Sequence, residues 1–333
     1  MANCNEHFQE FNGVIRLTDA RRKSLKKSRK ELRNKVRKFF KENKKDEIQP
    51  KFNGQGSLDY DVIINPIPRY VIEDNEKKTI LYYDVDDGIY FIGSDAVKDR
   101  HTPETYHNWV YDAVRGHTDK DPIDKDTCIR TLFADGHNID QPIYYQMGST
   151  PELAHKKLGY ILSDPKEFST WFIEIADSDP QIRRLVRYLK AWSDKKDFDS
   201  PSKAMPCGLI LTILVAENYT TRDKRDDIAL KETLINIQSK LTSSFECNRP
   251  TTPSGENLLE GYKEKDYFLK CLSEFIDDAK TALQEKNFRK SSELWRKHLS
   301  DRFPLGEDKD DTSSATAGLA SLIPSTTKPY TSK

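Results

Sequence analysis

Apolar residues in this chain follow two rhythms, and the change between them comes after Asp140. The first half opens on a helical pattern over residues 20–43, where Leu25, Leu32, Val36, Phe39 and Phe40 recur near helical spacing. Thr18-Asp19 precedes it and supplies side-chain oxygens to the free N–H groups of the first turn. Strand-like runs follow. Residues 79–93 (TILYYDVDDGIYFIG) predict one strand, with Asp87-Gly88 at its end. Residues 128–135 and 137–146 predict a hairpin pivoting on the tight-turn pair Asp135-Gly136.

The second half is helical. Ser163-Asp164-Pro165 carries helix-opening chemistry, and Pro180 starts a segment whose Ile182, Leu185, Val186, Leu189 and Trp192 form an apolar stripe. Residues 208–219 are apolar all round, which predicts a buried helix too short to span a bilayer. Further helical patterns cover residues 226–241, 267–285 and 288–299. The fold class predicted is mixed α/β. An α/β lobe over residues 1–165 is followed by a helical lobe over 166–303 that closes a cleft. Residues 304–333 are rich in Ser, Thr and Asp and read as a flexible tail, in which residues 318–323 form a small apolar patch.

Candidate chemistry concentrates in the first half. Gly54-Gln55-Gly56-Ser57 is a small, permissive turn whose backbone N–H groups and hydroxyl can approach a phosphate. Downstream, Asp84 and Asp86 sit two residues apart on the predicted strand and so share one face. Asp140 lies on the returning strand of the hairpin among strand-forming apolar residues, where a carboxylate is costly unless solvated, paired or metal-bound. Taken singly, each is an ordinary solvated or turn-capping Asp. Taken together, oxygen ligands with no His or Cys in the pattern favour Mg²⁺ or Mn²⁺ over zinc.

Five segments (GQGSLDYDVIINPI, YYDVDDGIYF, HNIDQPIYY, LSDPKEFSTWF and IRRLVRYLKAW) occur in that order. The set resembles the bacterial relatives of cyclic GMP-AMP synthase, the dinucleotide cyclases of anti-phage signalling. The resemblance runs from about residue 17 to about residue 220. It implies a polymerase-β-like nucleotidyltransferase lobe and synthesis of a cyclic purine dinucleotide from ATP- and GTP-type substrates, with pyrophosphate leaving. It implies that Asp84, Asp86 and Asp140 are catalytic and hold two Mg²⁺ ions, with Mn²⁺ as substitute. It also implies that Gln55, Gly56 and Ser57 bind the donor triphosphate, joined by Lys190; Arg187, on the same predicted helix stripe as Lys190 and Arg183, is a weaker second candidate read from the residues. Two departures stand out. Residues 68–78 are inserted between Ser57 and Asp84, which predicts a hairpin or loop at the site mouth. Pro206-Cys207 replaces an expected Pro-Ser step, so a phosphate contact at Cys207 falls to a weak thiol donor or to backbone N–H. The implied partners are an effector protein activated by the cyclic product and a protein acting on the C-terminal tail.

Charge narrows the alternatives. The 54 basic and 54 acidic residues cancel, so net charge gives no sign of a nucleic-acid or membrane partner. The predicted helix over residues 20–43 is nevertheless crowded with Lys and Arg. It reads as a solvated brace behind the catalytic lobe, with an RNA acceptor for a linear, tailing-type nucleotidyltransferase as the alternative. A catalytically silent nucleic-acid sensor is a third reading. Five scattered cysteines with neither zinc nor disulfide spacing fit a reducing, cytoplasmic setting.

Overall fold

The computed structural model describes residues 2–73, 76–93 and 100–312. Helices α1 (Asn5–Ile15) and α2 (Asp19–Asn43) lead into β1 (Lys51–Gln55), then β2 (Arg69–Glu73), β3 (Glu76–Ile80) and β4 (Tyr83–Ile92). Helix α3 (Pro103–Val114) crosses to β5 (Ile123–Asp124), β6 (Cys128–Leu132), β7 (His137–Met147), β8 (Thr150–His155) and β9 (Gly159–Leu162). The remainder is helical: α4 (Pro165–Ser178), α5 (Gln181–Asp199), α6 (Gly208–Asn218), α7 (Asp226–Ser243), α8 (Lys265–Gln284) and α9 (Phe288–Leu299).

The main sheet runs β1-β4-β7-β6-β5, with β8 continuing from the far half of β7 and β9 pairing β8. Among the described residues only β4 and β7 pair in parallel, with α3 on the connection between them, so the sheet is mixed. One face of it packs on α2 and α3. Val85, Ile89 and Phe91 of β4 and Ile139, Ile143 and Tyr145 of β7 are buried there with Leu25, Leu32, Val36 and Phe40 of α2. The apolar stripe expected on α5 is buried in a second core, made by the helical lobe. Caps act where the sequence placed them. Thr18 accepts from the Arg21 N–H at 3.2 Å, and Asp164 accepts from the Lys166 and Glu167 N–H groups at 3.0 and 3.1 Å.

The structure departs from the sequence expectations in four places. The strand expected over residues 79–93 is two strands, because β3 turns away to pair with β2 in a separate two-stranded sheet. Asp87-Gly88 therefore lies in the middle of β4 rather than at a strand end. The inserted hairpin β2–β3 leans on the last turns of α5, where Arg69 pairs with Asp194 at 3.2 Å and covers the Phe198 ring. It supplies no described residue to the lining of the cavity identified below. Helix α1, absent from the sequence expectations, belongs with the helical lobe: Phe8 and Phe11 pack on Tyr188 and Phe303. Finally, the chain past residue 304 stays packed as far as it is described. The Phe288 N–H donates to Lys309 O at 3.0 Å and the Asp311 N–H to Lys286 O at 2.9 Å. The apolar patch at 318–323 lies outside the described residues.

Candidate active site

Strand register assembles the site. Gln55 of β1 pairs with Asp86 of β4, Asp86 with Asp140 of β7, and Asp140 with Arg130 of β6. Register partners project to the same face of a sheet. This rung therefore brings two carboxylates side by side on the face opposite α2. Asp84 follows two residues along, paired with Asn138. Neighbouring Val85 and Asp87 point the other way, into the α2 side.

A cavity of about 440 Å³ opens over this face, between the sheet and the helical lobe. Gln55, Gly56, Ser57, Asp84, Asp86, Asp140, Lys190 and Cys207 all line it. Two cavities of similar size elsewhere lack this combination: one gathers Asp59, Asp61 and Asp177 among four arginines, and the other has no carboxylate.

The turn after β1 is held open by its own hydrogen bonds. Ser57 O accepts from the Val62 and Ile63 N–H groups at 2.9 and 3.0 Å, and Gly56 O from the Asp59 N–H at 3.0 Å. Gly56 has a φ of 74°, and a Cβ there would run into the Asp86 carboxylate. Only glycine satisfies both conditions.

Electrostatics at the three carboxylates are unequal. The pKa of Asp86 is pushed up to about 7, first by burial and then by the charges of Asp140 and Asp84, with Lys190 and Arg130 acting against them. Asp140 is clasped by Arg130, whose Nε and Nη2 donate to its two oxygens at 2.6 and 2.8 Å, and by Lys125 Nζ at 3.2 Å. Arg130 Nη2 also lies 3.1 Å from Asp84 Oδ1, and Asn138 Nδ2 donates to that same oxygen at 3.2 Å. From the helical lobe, Lys190 reaches the site with its pKa lowered to about 8 by burial, an effect that Asp86 opposes. Gly208, the first residue of α6, makes room for it: a Cβ there would sit 2.9 Å from Lys190 Cε. Cys207 caps α6 without a side-chain hydrogen bond and is exposed to the cavity.

Of the expected nucleotide contacts, Gln55 lines the cavity with its side chain tied into the sheet, and Arg187 lies elsewhere. The Gln55 side chain is buried, donating to Tyr144 Oη at 3.2 Å and accepting from Tyr90 Oη at 3.4 Å, so its amide serves the sheet. Arg187 is not at the cavity. It donates to Asn12 Oδ1 at 2.9 Å and to Asp61 O, and burial lowers its pKa to about 10. Because α5 is enclosed on nearly every side, the cations along it do not share one open face; Arg183 likewise pairs with Asp177 at 2.7 Å.

Arg130 and Lys125 went unread in the sequence, though Arg130 had a signal there. Counting five residues outward from Asp135 in the predicted hairpin sets Arg130 opposite Asp140. Ser163 and Arg249 also line the cavity from loops that carry no such signal.

The donor set suits a hard divalent cation: carboxylate oxygens only, with Asp86 carrying charge that its like-charged neighbours leave uncompensated. Among the described residues no three acidic, His or Cys groups stand at metal-holding geometry as they are; Lys125 and Arg130 pair with Asp140, and Arg130 also with Asp84.

Residues 50–144 match the family described as cyclic GMP-AMP synthase DncV-like, nucleotidyltransferase domain. A cyclic GMP-AMP synthase of Escherichia albertii is 26% identical over 219 residues, covering 64% of this chain and 46% of that protein. The match thus spans about half the length of that relative. Two solved structures of Vibrio cholerae DncV cyclic AMP-GMP synthase share the fold at 17% identity. One, in complex with nonhydrolyzable GTP, has a TM-score of 0.74 and covers 91% of this chain and 97% of that one. The other, in complex with the linear intermediate 5′ pppA(3′,5′)pG, has a TM-score of 0.72 and covers 91% and 96%. With the carboxylate rung, the turn and the two lobes in place, residues 50–144 are similar to the DncV-like nucleotidyltransferase domain of cyclic GMP-AMP synthases, and the chain shares the DncV fold.

Proposed function

We propose that this protein is a template-independent nucleotidyltransferase that joins two purine nucleoside triphosphates into a cyclic dinucleotide, releasing pyrophosphate. The observation that carries it is the register pairing of Asp86 with Asp140 beside the Gly56-Ser57 turn and Lys190, all in one cavity. In this reading Gly56 and Ser57 offer backbone N–H groups and a hydroxyl to the donor phosphates. Lys190 adds a buried positive charge, and the α6 N-terminus at Cys207-Gly208 adds backbone N–H groups. Asp84, Asp86 and Asp140 would hold the divalent cations. Two such ions, Mg²⁺ or Mn²⁺, supply a lowered hydroxyl pKa and charge neutralisation on the leaving pyrophosphate. The lobes exclude water from the reacting phosphate, and a second round on the linear intermediate closes the ring. The cyclic product then acts as a second messenger on an effector protein in anti-phage defence. No helix among the described residues is long and apolar enough to cross a membrane.

Incubation with radiolabelled NTPs and Mg²⁺, phosphatase treatment and product separation tests this. A phosphatase-resistant product, absent from the Asp84→Ala/Asp86→Ala variant, is expected. A phosphatase-sensitive ladder would replace the cyclase by a linear polymerase. RNA binding that survives in the double variant without any NTP turnover would replace it by a sensor.

A further inference from the structure

Resting on the assignment of Asp84, Asp86 and Asp140 as a cation site, we propose that Arg130 is a tethered counter-cation. It joins Asp84 to Asp140 in the nucleotide-free protein, and divalent-cation loading waits until the nucleoside triphosphate draws it away. The geometry is specific. One guanidinium donates to both oxygens of Asp140 and its Nη2 also reaches Asp84 Oδ1, so a single side chain spans two of the three carboxylates. Lys125 adds a second positive charge on Asp140. Asp86, on the same face, has no hydrogen-bonding cation among the described residues.

Two physical features make Arg130 a barrier rather than a bystander. The pair is sheltered, with side chains 20% and 14% exposed, and bidentate, so it is stronger than an open surface ion pair. A guanidinium also stays charged at any working pH, so the bridge opens only by competition and not by deprotonation. An incoming divalent ion must displace it from oxygens it already holds. A triphosphate changes that balance by offering the guanidinium other anionic oxygens while it carries its own cation. Ligand and cation are thereby coupled: each makes room for the other.

The test measures Mn²⁺ binding directly, from the electron paramagnetic resonance signal of the free ion. It compares wild type, Arg130→Gln and Asp86→Asn, with and without a nonhydrolysable ATP analogue. Without nucleotide, Arg130→Gln is expected to bind Mn²⁺ at least about tenfold tighter than wild type, because a fixed positive charge has left the site. With the analogue the difference should shrink to under about threefold. Equal Mn²⁺ affinity of the two proteins without nucleotide overturns the proposal. If Asp86→Asn still abolishes binding in that case, the carboxylate site stands and only the role of Arg130 falls. If no protein binds Mn²⁺ even with the analogue, the cation site itself falls and the proposal with it. Lys125→Gln, which leaves the Arg130 bridge intact, serves if Arg130→Gln does not fold. A gain of about threefold is expected for it, and none would count against the proposal.

Discussion

Asp86 and Asp87 are neighbours on β4 that face opposite ways, and their surroundings are opposite too. Asp86 turns to the cavity and meets Asp140 and Asp84. Asp87 turns to α2, is fully buried, and accepts from Arg33 Nε through both oxygens at 2.9 Å, with Arg29 at 4.0 Å. Burial raises the pKa of each, but at Asp87 the guanidinium of Arg33 works against it, whereas at Asp86 two carboxylates add to it. A buried charge with its partner is a fastening; a buried charge among its own kind is a demand for a cation from outside. One sheet thus separates what holds the lobe together from what the lobe is proposed to do.

Removing the crowded charge should break function and leave the fold. Asp86→Asn keeps the side-chain shape and relieves like-charge repulsion. It is expected to lower product formation by at least about 10³-fold while the thermal midpoint stays level or rises. Activity within tenfold of wild type would mean that Asp86 is not where the chemistry is done. On the other face the signs reverse. Arg33→Ala leaves Asp87 buried with only the more distant Arg29, and urea denaturation should show a loss of about 3 kcal/mol. Product formed per folded molecule should be unchanged. A loss under about 1 kcal/mol would show that Arg29 alone suffices.

How legible this contrast was in the sequence differs by face. Period-two alternation puts Asp84 and Asp86 together, and the Asp135-Gly136 pivot fixes the strand that carries Asp140; both rules are local. The helix after Pro180 was equally plain from its 3- and 4-residue spacing, and residues 208–219 from their unbroken apolar character. Asp87 was not, since its partner lies 54 residues back on α2, and nothing in a run of basic residues marks which guanidinium turns inward. Arg187 failed for the same reason: its partners, Asn12 and Asp61, lie far away in sequence. Helix α1 was hidden because its buried residues Phe8, Phe11 and Ile15 are few and their neighbours polar; its apolar face forms by packing against the helical lobe.

A third buried group in the helical lobe sharpens the comparison, because there charge is avoided. His298 stacks on Phe275, and its Nε2 lies 2.9 Å from Asp278 Oδ2, while its Nδ1 is buried with no partner. That arrangement suits the neutral ring. Burial lowers its pKa to about 4, with Lys196 and Lys297 assisting against the pull of Asp278. The unfolded chain takes up this proton near pH 6.5, before the folded one does. Stability from this group is therefore full above about pH 6.5 and lost as pH falls toward 4, by about 2–3 kcal/mol. The depressed pKa of Asp278 acts in the same direction, below its ordinary range. His298→Gln should flatten the pH-dependence of the urea midpoint between pH 6.5 and 4. An unchanged slope would assign the acid sensitivity to other groups.

The smallest effect is expected on the outer side of α2, where the comparison can still fail. Arg22, Arg29 and Arg33 reach inward to Asp61, Asp59 and Asp87. Lys23, Lys26, Lys27 and Lys30 are exposed, and among the described residues only Lys27 has even a loose pairing, 3.8 Å from Glu31. If α2 is a brace, its inward cations carry the stability and its outward ones carry almost none. Each Lys→Gln change there should move the urea midpoint by less than about 0.5 kcal/mol, and the fourfold variant should form product at the wild-type rate. A fourfold variant that folds normally but loses product formation would mean that the outer face takes a polyanion during the reaction. The division between a fastening face and a working face would then have to include the helix itself.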